Sequence, residues 1–310
     1  MQRNYGWGSR NMSKAAKFAL SAARRRESIG FTAEHDYNHR FELFLRFLKE
    51  KGVKRMEDIT PGLVIEYGKG LALRVDTEGL SPSRAQTLVS AINSTLDAVT
   101  RGKWHSVSPT EDCSIPERCA VRQEPTVNCE LAHIAIQALR TKGTLRTASV
   151  AELAHDLGLR AKEASLLDAV KALAEAKKDG KVAITRGAKG GKNRVVPILR
   201  NKQIETLENA VKSQGSARAV MPNDKSWKAW LEGGLRKGRN QLHLFGIKGY
   251  HEFRSSYAAN RYETIMGVAA PVNGGVIQDK AADREARLQI AEELGHGRID
   301  VVAEYIGGRK

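Results

Sequence analysis

The chain has 310 residues, a formal net charge of +16 and a mean hydropathy of −0.43. This length allows two domains of ordinary size, each with its own core. No run approaches the roughly 18 continuous apolar residues that a membrane span needs. The basic start lacks the apolar core and the cleavage site of a secretory signal, so we predict a cytoplasmic protein, with a transit peptide as the alternative.

The charge balance points to a polyanionic partner. The chain carries 51 Lys and Arg residues against 35 Asp and Glu residues, and its isoelectric point is about 9.8. Nucleic acid is the commonest partner of such a surface. A basic solubility surface, or a place beside the ribosome, remains the alternative.

The cysteines predict free thiols. The chain has three cysteines, Cys113, Cys119 and Cys129. An odd number in a chain without a secretory signal argues against a disulfide framework. Zinc binding, with His105 and His133 as further ligands, is the alternative. The spacing of the cysteines matches no common zinc-ligand pattern, so we predict no metal site.

Residues 1–104 are predicted to form a helical DNA-binding domain. Apolar residues recur at helical spacing in three stretches, which begin with capping signals at Thr32, Thr60-Pro61 and Ser81-Pro82. The apolar stripes indicate a core. A fourth helix, about Ser13 to Arg26, carries a basic run that we interpret as a DNA contact, against the alternative of a solvated helix face.

A linker and a second domain follow. Residues 105–128 lack periodicity and are rich in proline, which predicts a linker, and residues 129–310 form the second domain. Two β-branched runs, Lys181–Arg186 and Arg194–Leu199, flank a glycine-rich turn and predict a β-hairpin. The rest is predicted to be helical, around 201–213, 225–237, 249–265, 284–294 and 299–306.

Five short motifs stand in a fixed order in this second domain. They are Gly-Leu-Arg160, the lysine turn around Lys189, His251-x-x-Arg254, Leu-Gly-His296 and finally Tyr305. Each motif alone is weak, since an isolated arginine is usually a surface residue and a helical tyrosine usually packs in a core. Their order on a basic two-domain chain resembles the tyrosine recombinases, or phage-type integrases. The resemblance implies a mainly α fold: a helical core-binding domain and an α+β catalytic domain with a short sheet.

The resemblance also implies roles for the phosphate-binding side chains. Guanidinium forks match phosphate oxygens bidentately, so Arg160 and Arg254 would clamp the scissile phosphate. His251 lies one helical turn before Arg254 and would accept or relay a proton, while His296 would donate to a phosphate oxygen.

The resemblance makes Tyr305 the nucleophile. The ordinary pKa of tyrosine is about 10, and nearby cations favour the phenolate. Lys189 would protonate the departing 5′ oxygen, with Lys192 as the alternative. The products would be a 3′-phosphotyrosine and a free 5′-hydroxyl, formed without metal, cofactor or ATP.

Three features depart from the family pattern. Residues 267–282 form an apparent insertion between Arg254 and His296, and Ser255 stands where many relatives carry histidine. The chain ends soon after Tyr305, so contacts between protomers are expected through the Tyr305 helix or the amino-terminal domain.

The sequence therefore predicts a site-specific recombinase of a mobile element. It would bind double-stranded DNA with a pseudo-symmetric site, act as a tetramer in the bacterial or phage nucleoid, and use accessory DNA-bending proteins. No membrane partner is expected. The rivals are a type IB topoisomerase, a recombinase-fold DNA-binding protein that does not cut, and a basic nucleic-acid chaperone.

Overall fold

A computed structural model describes residues 3–142 and 145–308. The chain divides into two compact units, Met1–Cys119 and Ala120–Lys310, here called the first and second unit. Within the described ranges, no helix is both long enough and apolar enough to cross a membrane.

Four α-helices build the first unit, and two short 3-10 helices accompany them at Asn4–Gly6 and Met56–Asp58. The α-helices are α1 (Met12–Arg25), α2 (Phe31–Glu50), α3 (Pro61–Glu78) and α4 (Pro82–Thr100). The predicted caps at Thr60 and Ser81 are confirmed, because each side chain accepts the third backbone N–H of its helix. The predicted cap at Thr32 is wrong: the N-cap of α2 is Gly30, two residues earlier, and Thr32 lies within the helix.

Helix α4 is the centre of the first unit. Nine of its residues are buried, and it packs on α1, α2 and α3. The indole of Trp7 fastens the chain start to its carboxyl end by donating to the Val99 carbonyl at 2.8 Å. The predicted apolar stripes therefore face a shared core, as helical periodicity requires.

The segment predicted as a linker is shared between the two units. Val107, Cys113 and Ile115 are buried in the core of the first unit. The Asn93 amide oxygen holds this segment by accepting from the Trp104 indole and the Val107 backbone, each at 3.0 Å. Residues from 120 onward belong to the second unit.

The second unit is a helical assembly with one small sheet. Its α-helices are α5 (Cys129–Thr141), α6 (Leu145–Leu157), α7 (Ala161–Leu166), α8 (Ala169–Asp179), α9 (Asn201–Gln214), α10 (Trp227–Trp230), α11 (Arg236–His243), α12 (Tyr250–Met266), α13 (Lys280–Glu293) and α14 (Ala303–Ile306). Helix α6 is buried along eleven of its residues and packs against α5, α9 and α12. The core therefore surrounds α6 and holds α12 firmly in place.

The predicted hairpin is confirmed. Strands β1 (Lys181–Ile184) and β2 (Arg194–Pro197) pair antiparallel, with Val182 opposite Val196. Both valines are fully buried, so one face of the hairpin lies on the core. A 3-10 turn at Lys189–Gly191 lies within the connection.

The carboxyl-terminal helices differ from the predicted bounds. The predicted helix at 225–237 continues through a π-helical turn, Leu231–Leu235, into α11 and ends at His243. Helix α13 begins four residues before the predicted 284, because the Asp279 side chain caps it through two backbone N–H groups. A 3-10 helix at Asp300–Val302 leads into the short α14, and another, Pro271–Asn273, lies in the apparent insertion.

Candidate active site

Arg254 is the largest fully buried side chain among the described residues. It lies on α12 and is 0% exposed. Its guanidinium donates to the carbonyls of Gly158 and Leu294, the latter at 2.5 Å. Burial lowers the pKa of Arg254 to about 10, with Arg160 and Arg194 adding like-charge repulsion, so the group remains a cation at neutral pH.

The hydroxyl of Tyr305 meets this guanidinium. Tyr305 lies on α14 and is 3% exposed, and the Nε of Arg254 donates to its Oη at 3.4 Å. The Nε2 of His296 lies 3.1 Å from the same oxygen and 3.4 Å from the Nη2 of Arg254. Arginine can only donate, so the His296 Nε2 accepts. In that tautomer the Tyr305 hydroxyl donates to His296.

Two histidines flank the Tyr305 ring. The ring centroid of His251 lies 5.3 Å from it, and that of His296 lies 5.4 Å from it on a different element. Burial lowers the pKa of His251, and the nearby positive charge of Arg254 lowers it further. His251 is therefore neutral at pH 7.

The backbone around His296 requires glycine. Gly295 has a φ of +68°, and an added Cβ there would come within 2.9 Å of the Cδ of Arg194. The backbone N–H of His296 then donates to the carbonyl of Ala291 at 2.8 Å. The Leu-Gly-His motif thus turns the chain sharply at the end of α13 and directs the imidazole to Tyr305.

Glu163 is the hub that holds the arginines. Its side chain is fully buried, and the fork of Arg194 donates to both carboxylate oxygens, at 2.8 and 2.7 Å. Arg160 donates to Glu163 from its guanidinium at 2.8 Å and from its backbone N–H at 2.7 Å. Burial by itself raises the pKa of Glu163, but the bonds from Arg194 and Arg160 outweigh it and bring the value to about 2. The carboxylate is therefore ionised at any ordinary pH.

Five of the six predicted catalytic residues lie together; the sixth, Lys189, has a side chain outside the described part of the chain. Arg160, His251, Arg254, His296 and Tyr305 share one site, and Arg160 is the more accessible arginine, with a side chain 22% exposed. For Lys192, an added Cβ on Gly297 would lie 3.5 Å from its Nζ, which places that ammonium beside the His296 turn.

Sequence reasoning missed Arg122. Its backbone N–H donates to the carbonyl of Ala303, on the helix of Tyr305, at 2.9 Å. Its guanidinium pairs with Glu252 at 2.6 Å and donates to the Ser255 hydroxyl at 3.3 Å, both on α12. Arg122 therefore joins the His251–Arg254 helix to the tyrosine helix. No periodic signal marked it, because it lies in an irregular segment.

Replacing Glu163 with glutamine should destabilise the second unit. The buried Arg194 would lose its ion pair with Glu163, and breaking such a pair typically costs about 3 kcal/mol. Urea unfolding at pH 7 measures this loss. The pKa of Glu163 is depressed, so its contribution is complete above the ordinary value of 4.5 and is lost as pH falls through about 2. The difference in unfolding free energy between wild type and Glu163→Gln should therefore narrow as pH falls from 4.5 through about 2.

Glu208→Gln is the matched control. Glu208 pairs with Lys177 at 2.8 Å on the exposed surface, and such pairs contribute little. Its unfolding midpoint should match wild type. A Glu163→Gln protein as stable as this control would contradict the role of Glu163 as the hub.

A protein-family model matches part of the second unit. Residues 123–260, which lie in the second unit, match the model of a protein family described as Integrase. No curated protein sequence matches the chain.

Solved structures share the fold at low identity. The chain is similar to a lambda integrase tetramer bound to a Holliday junction, with a TM-score of 0.60, 16% identity and coverage of 94% of this chain and 78% of that one. It is also similar to XerH site-specific recombinase bound to a palindromic difH substrate, with a TM-score of 0.58, 17% identity and coverage of 94% of this chain and 80% of that one. A third similar structure is that of the Tn1549 transposon integrase in complex with circular intermediate DNA, with a TM-score of 0.57, 10% identity and coverage of 95% of this chain and 96% of that one. The predicted fold class is confirmed.

Proposed function

We propose that this chain, whose residues 123–260 match the Integrase family model and whose fold is that of the tyrosine recombinases, is a site-specific DNA recombinase. It cuts and rejoins DNA through a 3′-phosphotyrosyl intermediate. One observation carries the proposal: the Tyr305 hydroxyl lies between the Nε of Arg254 and the Nε2 of His296, at 3.4 and 3.1 Å. A nucleophile, a cation and a proton acceptor thus meet at one oxygen atom.

The first step forms the covalent link. The phenol of Tyr305 gives its proton to the Nε2 of His296 as its oxygen attacks the scissile phosphorus. The new imidazolium and the guanidinium of Arg254 then face the charge that develops on the phosphate oxygens. His296 thereby takes the proton-accepting role that the resemblance implies for His251, because its Nε2 lies 3.1 Å from the Tyr305 oxygen, and it then becomes the phosphate donor. The neutral His251 serves as a further hydrogen-bonding group beside the ring.

The leaving group departs on the opposite side. The bond between phosphorus and the 5′ oxygen breaks, and a lysine of the hairpin turn protonates that oxygen. Lys189 is the predicted donor and Lys192 the alternative. The partly exposed guanidinium of Arg160 donates to Glu163 through its Nη1. Its other N–H groups can donate to a phosphate as the second clamp. Attack by another strand's 5′-hydroxyl reverses the step, because the phosphotyrosine retains the bond energy.

Double-stranded DNA is the proposed partner. The net charge of +16 supports a phosphate-dominated affinity, which weakens as salt concentration rises. We propose a tetramer on two pseudo-symmetric sites in the nucleoid, assisted by DNA-bending proteins. The lambda integrase in the structural comparison is itself a tetramer on a Holliday junction.

Strand exchange between two linear duplexes tests the proposal. The duplexes carry the site that the protein selects from random-sequence DNA, and one of them is end-labelled. Recombinant strands of hybrid length are the expected product on a denaturing gel. A topoisomerase would instead relax a supercoiled plasmid and yield no hybrid strands. DNA that is bound but neither cut nor relaxed would establish the non-cutting alternative.

A further inference from the structure

A second cluster of reactive side chains lies apart from Tyr305. Cys129 is the first residue of α5, and its side chain is exposed. The Nδ2 of Asn260 lies 3.4 Å from its Sγ. The amino end of a helix favours a negative charge, and a thiolate placed there is stabilised relative to the thiol. The position alone makes no site, so what lies beneath the sulfur decides its chemistry.

A buried histidine, His155, interacts with this thiol. The side chain of His155 is 4% exposed, and its Nδ1 lies 2.7 Å from the Oδ1 of Asp156. The second oxygen of Asp156 accepts from the Thr206 hydroxyl at 2.5 Å. Within the described residues, the buried Nε2 of His155 has no conventional hydrogen-bond partner, and the group with which it interacts is the Cys129 thiol.

The four side chains therefore form one line from core to surface. Thr206 holds Asp156, and Asp156 occupies the Nδ1 of His155. The Nε2 of His155 has no other partner among the described residues, so it is the ring nitrogen left to interact with the Cys129 thiol. A carboxylate that orients an imidazole toward a thiol is the arrangement that activates nucleophilic cysteines. A histidine that served only to fill the core would have both ring nitrogens bonded within it.

The charges around the pair agree with this arrangement. The interaction with His155 is the main cause that lowers the pKa of the Cys129 thiol, and Arg200 adds to it. Burial acts to lower the pKa of His155, but Asp156 and Cys129 outweigh burial and raise it to about 9. Other nearby ionisable groups include Lys202 and Glu152, which interact with Asp156, and His133, whose ring lies 5.8 Å from that of His155.

We propose that Cys129 is a nucleophilic thiolate and the site of reversible modification by low-molecular-weight disulfides. The thiolate attacks one sulfur of the disulfide and forms a new S–S bond. The old S–S bond breaks, and its second sulfur leaves as a thiolate that takes the proton of His155. Cys129 is oxidised and the leaving sulfur is reduced. A second thiol reverses the exchange, so atoms and electrons balance in both directions.

The chain supplies its own controls. Cys119 is exposed, as Cys129 is, so the two thiols can be compared at similar accessibility. Cys113 is buried, and burial raises the pKa of its thiol to about 11. Cys129 interacts with the buried His155, so its reactivity at low pH should distinguish it from both.

The test measures reaction with an aromatic disulfide that releases a coloured thiolate, 5,5′-dithiobis(2-nitrobenzoic acid). The full chain is compared as Cys119→Ser, which retains Cys129, and as Cys129→Ser, which retains Cys119. At pH 6.5 an ordinary thiol is roughly 1% ionised, so Cys129 should react at least about tenfold faster than Cys119. The ratio should shrink as pH approaches 9, where the ordinary thiol ionises and His155 loses its proton.

Two further measurements fix the cause. His155→Gln in the Cys119→Ser background should remove the excess rate at pH 6.5. If that variant does not fold, the pH profile of the Cys119→Ser protein decides alone. Mass spectrometry after treatment with oxidised glutathione should place the adduct on Cys129, and dithiothreitol should remove it. Equal rates for Cys129 and Cys119 at pH 6.5, or a profile that rises only above pH 8, would overturn the proposal.

Discussion

Strand exchange falls below detection when Tyr305 is replaced by phenylalanine. The substitution removes only the oxygen that lies between Arg254 and His296, so the fold and the DNA-binding surface are retained. Without the nucleophilic oxygen no phosphotyrosine forms, and nothing else in the proposed mechanism replaces it. Hybrid strands are counted on a denaturing gel, and DNA affinity is measured in parallel by gel shift.

Tyr250→Phe is the matched control for this prediction. The hydroxyl of Tyr250 is also buried, and it donates to the Leu235 carbonyl at 3.3 Å. Its removal deletes the hydrogen bonds of this hydroxyl to Leu235 and Thr147 without touching the proposed chemistry, so exchange should continue. Recombinant strands from the Tyr305→Phe protein would show that another group attacks the phosphate.

Replacing Arg254 with lysine should slow cleavage by on the order of 10² or more, since removal of one preorganised donor costs about this much. The guanidinium reaches the carbonyls of Gly158 and Leu294 and the oxygen of Tyr305 at once. A lysine ammonium cannot keep this planar fork. Single-turnover cleavage of an end-labelled duplex measures the rate, and thermal unfolding separates it from any loss of stability.

The control for Arg254→Lys is Arg140→Lys. Arg140 pairs with Glu152 between α5 and α6, and the proposed chemistry does not use it. That variant should cleave at the wild-type rate. If Arg254→Lys also cleaved at that rate while folded, Arg254 would be a structural residue and the phosphate clamp would have to lie elsewhere.

Much of the fold was predictable because its signals are local. Helical periodicity indicated the main helices. The Thr-Pro pair predicted the start of α3, and the Ser-Pro pair predicted the start of α4. The hairpin followed from two β-branched runs around a glycine turn. The cap at Thr32 failed because glycine also serves as an N-cap, and Gly30 takes this position two residues earlier without a side-chain hydrogen bond.

The candidate site divides in the same way. The order of motifs indicated Arg160, His251, Arg254, His296 and Tyr305, whose assignment as catalytic residues stays a proposal. The partners of these residues were not predictable, because they come from distant parts of the chain. Glu163 joins Arg194 across the fold, and Arg122 joins two helices from an irregular segment. Such long-range bonds leave no periodic trace in a single sequence.

Covalent trapping on a suicide duplex tests the central claim most directly. The duplex carries a nick next to the scissile phosphate, so the cleaved fragment diffuses away and the protein remains attached. We expect a protein–DNA adduct on a denaturing gel, with the DNA joined to the Tyr305 peptide through its 3′ phosphate. No adduct on a duplex that the protein binds, or an adduct on another residue, would contradict the account.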